Sequence, residues 1–265
     1  MSPGLTIFVK GNLDVRDSLH SLRSGETVAW NGINEIVRAR FPGETVRIRH
    51  ELWTRSDALL EATGTIPPSL QNRRLSLEPF NPATQFSRAL FDSDADAFAL
   101  SLQPDLMTAL ARHRRDGYLL FPYNREGWSK DDQQWFNDEF TALGFLEVEQ
   151  SMRNLASIVE RIRARTEAPI LIYNISAVVP GESVRSYAGL PETLSTRIRK
   201  FNLALIELSQ NTGVTIVDVD RIVASGGADR LKLDTLHLTA DGCRAVAEEV
   251  VDALDELNFF SATVA

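Results

Sequence analysis

An aspartate and a histidine stand three residues apart near the end of the chain, in the segment Leu233-Asp234-Thr235-Leu236-His237-Leu238-Thr239-Ala240-Asp241-Gly242. A histidine acts as a general base when a carboxylate fixes one ring nitrogen, because the other nitrogen can then take a proton from a hydroxyl group. A spacing of three residues on a tight loop permits that contact. We therefore expect Asp234 and His237 to form a catalytic dyad. The alternative is a helix-entry turn in which Asp234 is a cap and His237 is half exposed.

The segment Arg16-Asp17-Ser18-Leu19-His20-Ser21 contains a serine beside an aspartate. One interpretation makes Asp17 and Ser18 the capping residues of a short helix to Leu22, a position that Ser and Asp favour.

Five short apolar runs rich in Val, Ile and Phe are the candidate strands: Leu5–Lys10, Thr45–His50, Ala97–Leu102, Pro169–Asn174 and Val214–Asp218. Segments with apolar residues at helical spacing separate them: Asn31–Arg40, Ser56–Ala62, Trp135–Leu143, Asn154–Arg165, Thr193–Gln210 and Thr239–Leu257. This alternation predicts a three-layer α/β/α sandwich around a five-stranded parallel sheet.

Three regions depart from the alternation, namely 64–85, 121–132 and 179–190. We interpret them as loop insertions over the carboxyl ends of the strands, where such sheets bind ligands. The whole chain, 1–265, is then one domain.

Composition excludes several classes of function. The net charge of −8 disfavours nucleic acid and anionic membranes as partners. The single cysteine, Cys243, excludes a disulfide framework and fits a reducing compartment. The N-terminal apolar run is too short for a signal peptide or a membrane span, so we expect a cytoplasmic protein. The four histidines show no metal-binding motif, and we expect no metal.

Residues 233–242 resemble the fifth block of the SGNH (GDSL-type) hydrolases, in which an Asp-x-x-His motif precedes the last helix. The predicted order of strands and helices is similar to that family as well. The resemblance implies a sheet of flavodoxin-like topology and a serine-type ester hydrolase that needs no cofactor.

The other family blocks are altered. In the family register Leu13 of Gly11-Asn12-Leu13 takes the place of the nucleophile. Five residues later, Asp17-Ser18-Leu19 reproduces the family's Asp-Ser-Leu, and this resemblance implies that Ser18 is the nucleophile, whose hydroxyl attacks an acyl carbon once a base removes its proton. No glycine of a second block stands in 49–57, where an amide of Thr54 or Arg55 could donate instead. In the third block, Gln103 could supply the side-chain amide for which the family uses Asn.

Polar residues cluster at the predicted strand ends, which face one crevice in a parallel sheet, and some are candidate substrate contacts: Lys10, Asn12, Asp14, Asn174, Ser176, Asp218 and Asp220. They also suit turns, which favour Asn and Asp.

These residues predict a serine-type ester hydrolase or acyltransferase acting on a small acylated metabolite or an O-acylated sugar. Ser18 attacks, His237 is the base and Asp234 orients it. Gln103, with loop amides such as that of Arg55, holds the oxyanion, and Asn12 and Asn174 contact the substrate. The alternative is a catalytically silent SGNH-like domain that binds a ligand or a protein partner, which Leu13 and the missing glycine favour. A nucleotide-binding protein is disfavoured because no Gly-rich loop follows any strand. The oligomeric state stays open.

Overall fold

The computed structural model of the chain describes residues 4–24, 26–183, 189 and 191–260. The chain forms two compact units, each assembled from separate stretches of sequence: Met1–His50, Asp94–Gln103 and Thr166–Ala265 in the first, and Glu51–Ser93 and Pro104–Arg165 in the second. No helix within the described residues is both long enough and apolar enough to cross a membrane.

The strands in chain order are β1 (Leu5–Lys10), β2 (Leu22–Ser24), β3 (Thr27–Trp30), β4 (Val46–Glu51), β5 (Ala97–Ser101), β6 (Ala111–His113), β7 (Leu119–Leu120), β8 (Phe140–Ala142), β9 (Ile170–Tyr173) and β10 (Thr215–Val217). The helices are α1 (Leu13–Leu19), α2 (Asn34–Arg40), α3 (Ser56–Glu61), α4 (Pro68–Gln71), α5 (Pro82–Gln85), α6 (Ala89–Asp92), α7 (Gln103–Met107), α8 (Lys130–Glu139), α9 (Val148–Arg163), α10 (Leu194–Thr212), α11 (Val219–Gly226), α12 (Ala228–Leu231) and α13 (Ala240–Glu256). A 3-10 turn covers Arg125–Gly127.

The first unit is organised by a five-stranded sheet in the order β10-β9-β5-β1-β4. The pairs β1–β5, β5–β9 and β9–β10 are parallel. With the five strands numbered in chain order, this is the 2-1-3-4-5 arrangement of flavodoxin-like sheets. The strand order reverses between the neighbouring strands β1 and β5. The predicted α/β fold, a five-stranded parallel sheet flanked by helices, is confirmed.

Side chains of this sheet are buried on both faces, as parallel sheets require. One face packs into a cluster with α1, α2 and α11–α13, to which the strands contribute Ile7, Val9, Ala97, Ala99, Leu171, Tyr173 and Val217. Residues that alternate with them, such as Phe8, Phe98 and Ile172, are equally buried. Cys243 of α13 lies in the cluster without solvent exposure, and burial raises the pKa of its thiol to about 12.

Capping residues define the ends of the long helices. Thr193 and Thr239 accept hydrogen bonds from the backbone N–H groups three residues on, and Gly213 ends α10 in the left-handed conformation. The five strands and the helices predicted at Asn31, Ser56, Asn154, Thr193 and Thr239 are all present, with ends that match or are shifted by at most six residues.

The helix predicted over Trp135–Leu143 is wrong in its position. The helix α8 ends at Glu139, and the chain then continues as β8, which pairs with β6. Phe136 and Phe140 are four residues apart and both buried, so their spacing fits a helix although Phe140 belongs to a strand.

The second unit has its own antiparallel sheet in the order β7-β6-β8. A buried network joins α3, α7 and α9: Asp105 accepts from Ser56 N at 2.6 Å and from Ser151 Oγ at 2.6 Å, and Asn154 donates to Ser56 Oγ at 2.9 Å. Burial raises the pKa of Asp105 to about 6, against the lowering effect of those hydrogen bonds.

The three predicted loop insertions contain short ordered elements. Region 64–85 carries α4 and α5, and region 121–132 carries the 3-10 turn and the start of α8. Part of region 179–190, namely 184–188 and 190, lies outside the described residues.

Candidate functional site

Asp234 and His237 meet on a short closed loop between α12 and α13. Lys232 and Leu238 form an antiparallel bridge, and Leu233 N donates to His237 O at 2.9 Å, which closes the loop. Within it, Asp234 Oδ1 accepts from the backbone N–H groups of Leu236 at 2.8 Å and His237 at 2.9 Å. The carboxylate therefore shapes the loop that carries it.

The other carboxylate oxygen holds the imidazole. Asp234 Oδ2 lies 2.6 Å from His237 Nδ1, so Nδ1–H donates to the carboxylate and Nε2 is left to accept a proton. The backbone N–H of His237, with the imidazole itself, lowers the pKa of Asp234 to about 2. The carboxylate is thus ionised at any ordinary pH, and the His237 side chain, 38% exposed, is open to solvent.

The loop is anchored by the start of α13. Thr239 N donates to Leu231 O at 3.0 Å, and Thr239 Oγ1 accepts from Gly242 N at 3.1 Å. A Cβ atom on Gly242 would lie 2.3 Å from Leu231 O, so only glycine allows the helix to pass this close to the preceding backbone. Glycine here positions the dyad without touching it.

A pocket lies against the same loop. It is partly open to solvent and holds about 380 Å³ of free space including its mouth, within which the cavity volume is about 20 Å³. Its walls come from strand ends of the first unit and from the dyad loop: Asp14, Gln103, Asn174, Ile175, Ser176, Val219, Lys232, Thr235, Leu236 and Leu238. Asp14 follows β1 and Gln103 follows β5, the two neighbouring strands between which the strand order reverses. Sheets of this kind bind ligands at that point. We call it the switch-point pocket.

The segment after β1 places Leu13 where the resemblance expected a nucleophile. Gly11 is needed there, because a Cβ would lie 2.7 Å from Val15 Cγ2 and 3.2 Å from Ser101 Cβ. Asn12 and Leu13 are half-buried, and Asn12 Oδ1 is enclosed without a hydrogen-bond partner in the described part of the chain.

Ser18 lies in the last turn of α1 and has no solvent exposure. Its Oγ donates to Val15 O at 2.9 Å and lies 3.4 Å from Tyr173 Oη, within the core. Asp17 and Ser18 are therefore in the body of the helix, which begins at Leu13, and do not cap it. No hydrogen bond within the described residues joins Ser18 to Asp234 or His237, and its role as nucleophile stays a prediction.

The other predicted contacts divide into two groups. Gln103 lines the pocket, and its Oε1 is enclosed and unpaired among the described residues. The side-chain amide of Asn174 is already hydrogen-bonded, because its Nδ2 donates to Asp218 Oδ1 at 2.7 Å and its Oδ1 accepts from Asp220 N at 3.1 Å. Arg55 belongs to the second unit, where it binds Asp57 with two nitrogens and donates to Gly144 O at 2.9 Å. Its side chain is thus engaged in packing that unit.

The structure adds one residue that the sequence did not single out. Lys232 is buried beside the pocket, where Nζ donates to Val178 O at 2.6 Å and burial lowers its pKa. Its only signal in the sequence is its place two residues before Asp234. Asp14, one of the strand-end polar residues that the sequence offered as substrate contacts, also lines the pocket. Within the described residues, no group of three His, Cys, Asp or Glu side chains is arranged to hold a metal ion.

Solved structures share the fold at low sequence identity. An α/β hydrolase from the metagenome of Lake Arreo, Spain, is 14% identical with a TM-score of 0.53, covering 96% of each chain. An acetylxylan esterase from Geobacillus stearothermophilus is 10% identical with a TM-score of 0.52, covering 95% of each chain. A lipase/acylhydrolase from Enterococcus faecalis is 10% identical with a TM-score of 0.51, covering 94% of this chain and 95% of that one. At such identities the likeness establishes the fold alone.

A search of curated proteins finds no match. The model of the GDSL-like lipase/acylhydrolase family matches residues 103–245, more than half of the chain, and the match includes the dyad loop. The chain therefore belongs to the GDSL-like lipase/acylhydrolase family.

Proposed function

We propose that the chain is an ester hydrolase that removes a short acyl group from a small acylated metabolite or an O-acylated sugar. The observation that carries the proposal is the contact of 2.6 Å between His237 Nδ1 and Asp234 Oδ2, on a loop that lines the switch-point pocket. An imidazole held by an ionised carboxylate beside a pocket is equipped to move one proton.

His237 acts as the general base through Nε2. It removes the proton from the attacking O–H group, the new bond forms to the acyl carbon, and the imidazolium returns the proton to the leaving alkoxide. Asp234 fixes the ring and stabilises its positive charge between the two transfers. Of the residues predicted to hold the oxyanion, Gln103 lines this pocket, and its side-chain NH2 group would be the donor.

The attacking group has two candidates. Ser18 is the nucleophile predicted from the sequence, but its hydroxyl would have to leave Val15 O and the core before it could react. The His237 side chain is open to solvent, so water can reach the imidazole directly. These surroundings favour water activated directly by His237.

The size of the cavity bears on the acyl group. A volume of about 20 Å³ is little more than the roughly 10–15 Å³ that one water molecule needs, so it has room for a group of about that size, such as a methyl group, but not for a long chain. The acyl end of the substrate is then acetyl or of similar size, and the alcohol part occupies the open mouth. Acetylated xylan, named for the Geobacillus enzyme, is one probe for such a substrate.

The experiment compares hydrolysis of p-nitrophenyl acetate and p-nitrophenyl octanoate by the wild type and by His237→Ala. We expect acetate to be preferred, and the variant to lose about 10²–10⁴ in kcat because a general base contributes that much. His20→Ala, a histidine on another loop, is the matched control and should leave the rate unchanged. Equal rates for wild type and His237→Ala, with matched circular dichroism, contradict the proposal. Ligand binding without turnover of any ester would identify a silent binding domain instead.

A further inference from the structure

A second pocket is built entirely from residues of the second unit. Its cavity volume is about 290 Å³, and its free space is about 720 Å³ when the open mouth is included. Small-molecule sites in proteins usually enclose about 300–1,000 Å³. The proposed function makes no use of this pocket, because Asp234 and His237 belong to the first unit. We call it the second-unit pocket.

Two apolar clusters of the second unit supply its walls. Phe86 is buried in one cluster, and Ile66 and Tyr118 pack against that cluster. Ala58 and Leu119 are buried members of the other. All five residues line the same cavity. An apolar ligand in it would contact both clusters and remove their surface from water, which is favourable in proportion to the apolar area covered.

Hydrogen bonds hold the loop between α3 and α4, which forms part of the wall. Gly64 N donates to Phe86 O at 2.9 Å, and Gln71 Nε2 donates to Ile66 O at 2.8 Å. Pro67, which also lines the pocket, stands at the start of α4, where its ring restricts the backbone. A wall held in this way loses little conformational freedom when a ligand binds, and this favours affinity.

The charges beside the pocket are balanced. Its lining includes two acidic residues, Glu61 and Asp116. Arg112 donates to both carboxylate oxygens of Glu61, at 2.9 and 3.1 Å, and Arg115 Nε donates to Asp116 Oδ1 at 3.3 Å. An anionic ligand would therefore approach two carboxylates, and a cationic ligand would compete with the arginines that already pair with them. A neutral ligand meets neither cost.

The volume and the aromatic lining indicate the shape of the ligand. A cavity of roughly 150 Å³ holds one benzene molecule, so a cavity of about 290 Å³ has room for two fused rings. Phe86 and Tyr118 line it with aromatic rings, against which another ring packs favourably. We propose that the second-unit pocket binds a neutral, largely apolar small molecule about the size of two fused aromatic rings. This binding site is independent of ester hydrolysis by the dyad.

Titration of the full chain with 2-naphthol, followed by the fluorescence of the naphthol, tests the proposal. We expect a Kd of about 1 mM or below, which a ligand of this size can reach. Two charged analogues test the ligand class. Both 2-naphthoate and 2-naphthylmethylammonium should bind at least about tenfold more weakly. A Kd above about 1 mM for 2-naphthol, or a charged analogue that binds as tightly as 2-naphthol, overturns the proposal.

Two further measurements locate the ligand. Intermolecular nuclear Overhauser effects should join the naphthol protons to the methyl groups of Ala58, Ile66 and Leu119, and this result requires no variant. Ala62→Phe adds a ring to the lining and should weaken 2-naphthol by at least about tenfold. The matched control is Ala142→Phe, since Ala142 is exposed on β8 and does not line the pocket. Overhauser effects that miss all three methyl groups, or wild-type affinity in a folded Ala62→Phe variant, contradict the proposal.

Discussion

Two segments of the first unit were predicted from the sequence to carry the catalytic residues, and the structure holds their side chains in opposite ways. The dyad loop, Lys232–Leu238, is held by bonds between residues two to four apart, and both ionisable side chains face solvent. The segment Gly11–His20 turns at once into α1, which packs against α13, and its serine is buried.

The difference follows from where each motif lies. In a loop closed by its own side chains, residues three positions apart are in contact, so their spacing in the sequence determines their distance in space. On a helix, consecutive residues point about 100° apart, so Asp17-Ser18-Leu19 cannot act as one group. Asp17 pairs with Arg16 on the surface, while Ser18 and Leu19 enter the core. A short sequence motif therefore predicts the arrangement of its side chains when hydrogen bonds between its own residues hold the loop in shape.

The largest effect is expected from Asp234→Asn. The asparagine can still accept from the Leu236 and His237 amides, so the loop keeps its shape, but its NH2 group would face His237 Nδ1. The imidazole then loses the tautomer that leaves Nε2 free, and kcat should fall by about 10²–10⁴. Steady-state kinetics with thermal unfolding as the control measures it; a rate within threefold of wild type would remove Asp234 from the mechanism.

Gly242→Ala tests the support of the loop. The new methyl group would lie 2.3 Å from Leu231 O, so the start of α13 must shift. We expect a loss of about 1–3 kcal/mol in the free energy of unfolding, typical of overpacking, together with reduced kcat. Gly144→Ala is the control, because no atom lies within 4 Å of its Cβ position. Urea titration compares the two, and equal stability would show that the close approach has no cost.

The two carboxyl groups of the site should respond to pH with opposite sign. Burial raises the pKa of Asp14, so its contribution to stability is complete below the pKa of the unfolded chain and is lost as pH rises through the folded value. The pKa of Asp234 is lowered to about 2, so its contribution is present above the unfolded value and is lost as pH falls toward 2. Relative to Asp14→Asn, the melting temperature of the wild type should therefore decline with rising pH. Relative to Asp234→Asn, it should decline with falling pH. Parallel trends in the two comparisons would contradict the assignment.

The smallest effect is expected from Ser18→Ala. It removes one hydrogen bond to Val15 O, worth about 0.5–1.5 kcal/mol, and if water is the nucleophile it should leave kcat within about twofold. A fluorophosphonate, followed by peptide mapping, should leave Ser18 unlabelled. A labelled Ser18, or a variant without activity, would restore the serine mechanism and abolish the contrast between the two segments.

The sequence predicted the sheet well because each strand is a short apolar run bounded by helical periodicity. It located the Asp234–His237 contact because that contact is local. It placed Asp14 among the polar residues at the strand ends but could not predict its hydrogen bond to Ser101, which joins residues 87 positions apart. The helix over Trp135–Leu143 was wrong for the same kind of reason, since pairing of Phe140 with His113 decides the strand.

Cys243, enclosed in the core directly after Gly242, gives the chain a chemical reporter of its own opening. A thiol with no exposure and a pKa of about 12 has almost no thiolate to react with iodoacetamide while the core is closed. Alkylation then proceeds only in molecules whose core has opened by local or global unfolding. When the core closes faster than iodoacetamide reacts, the rate of alkylation measures the population of these open states. Since the chain has one cysteine, a single mass shift would rank the unfolding tendency of every variant above without a dye or an engineered tag.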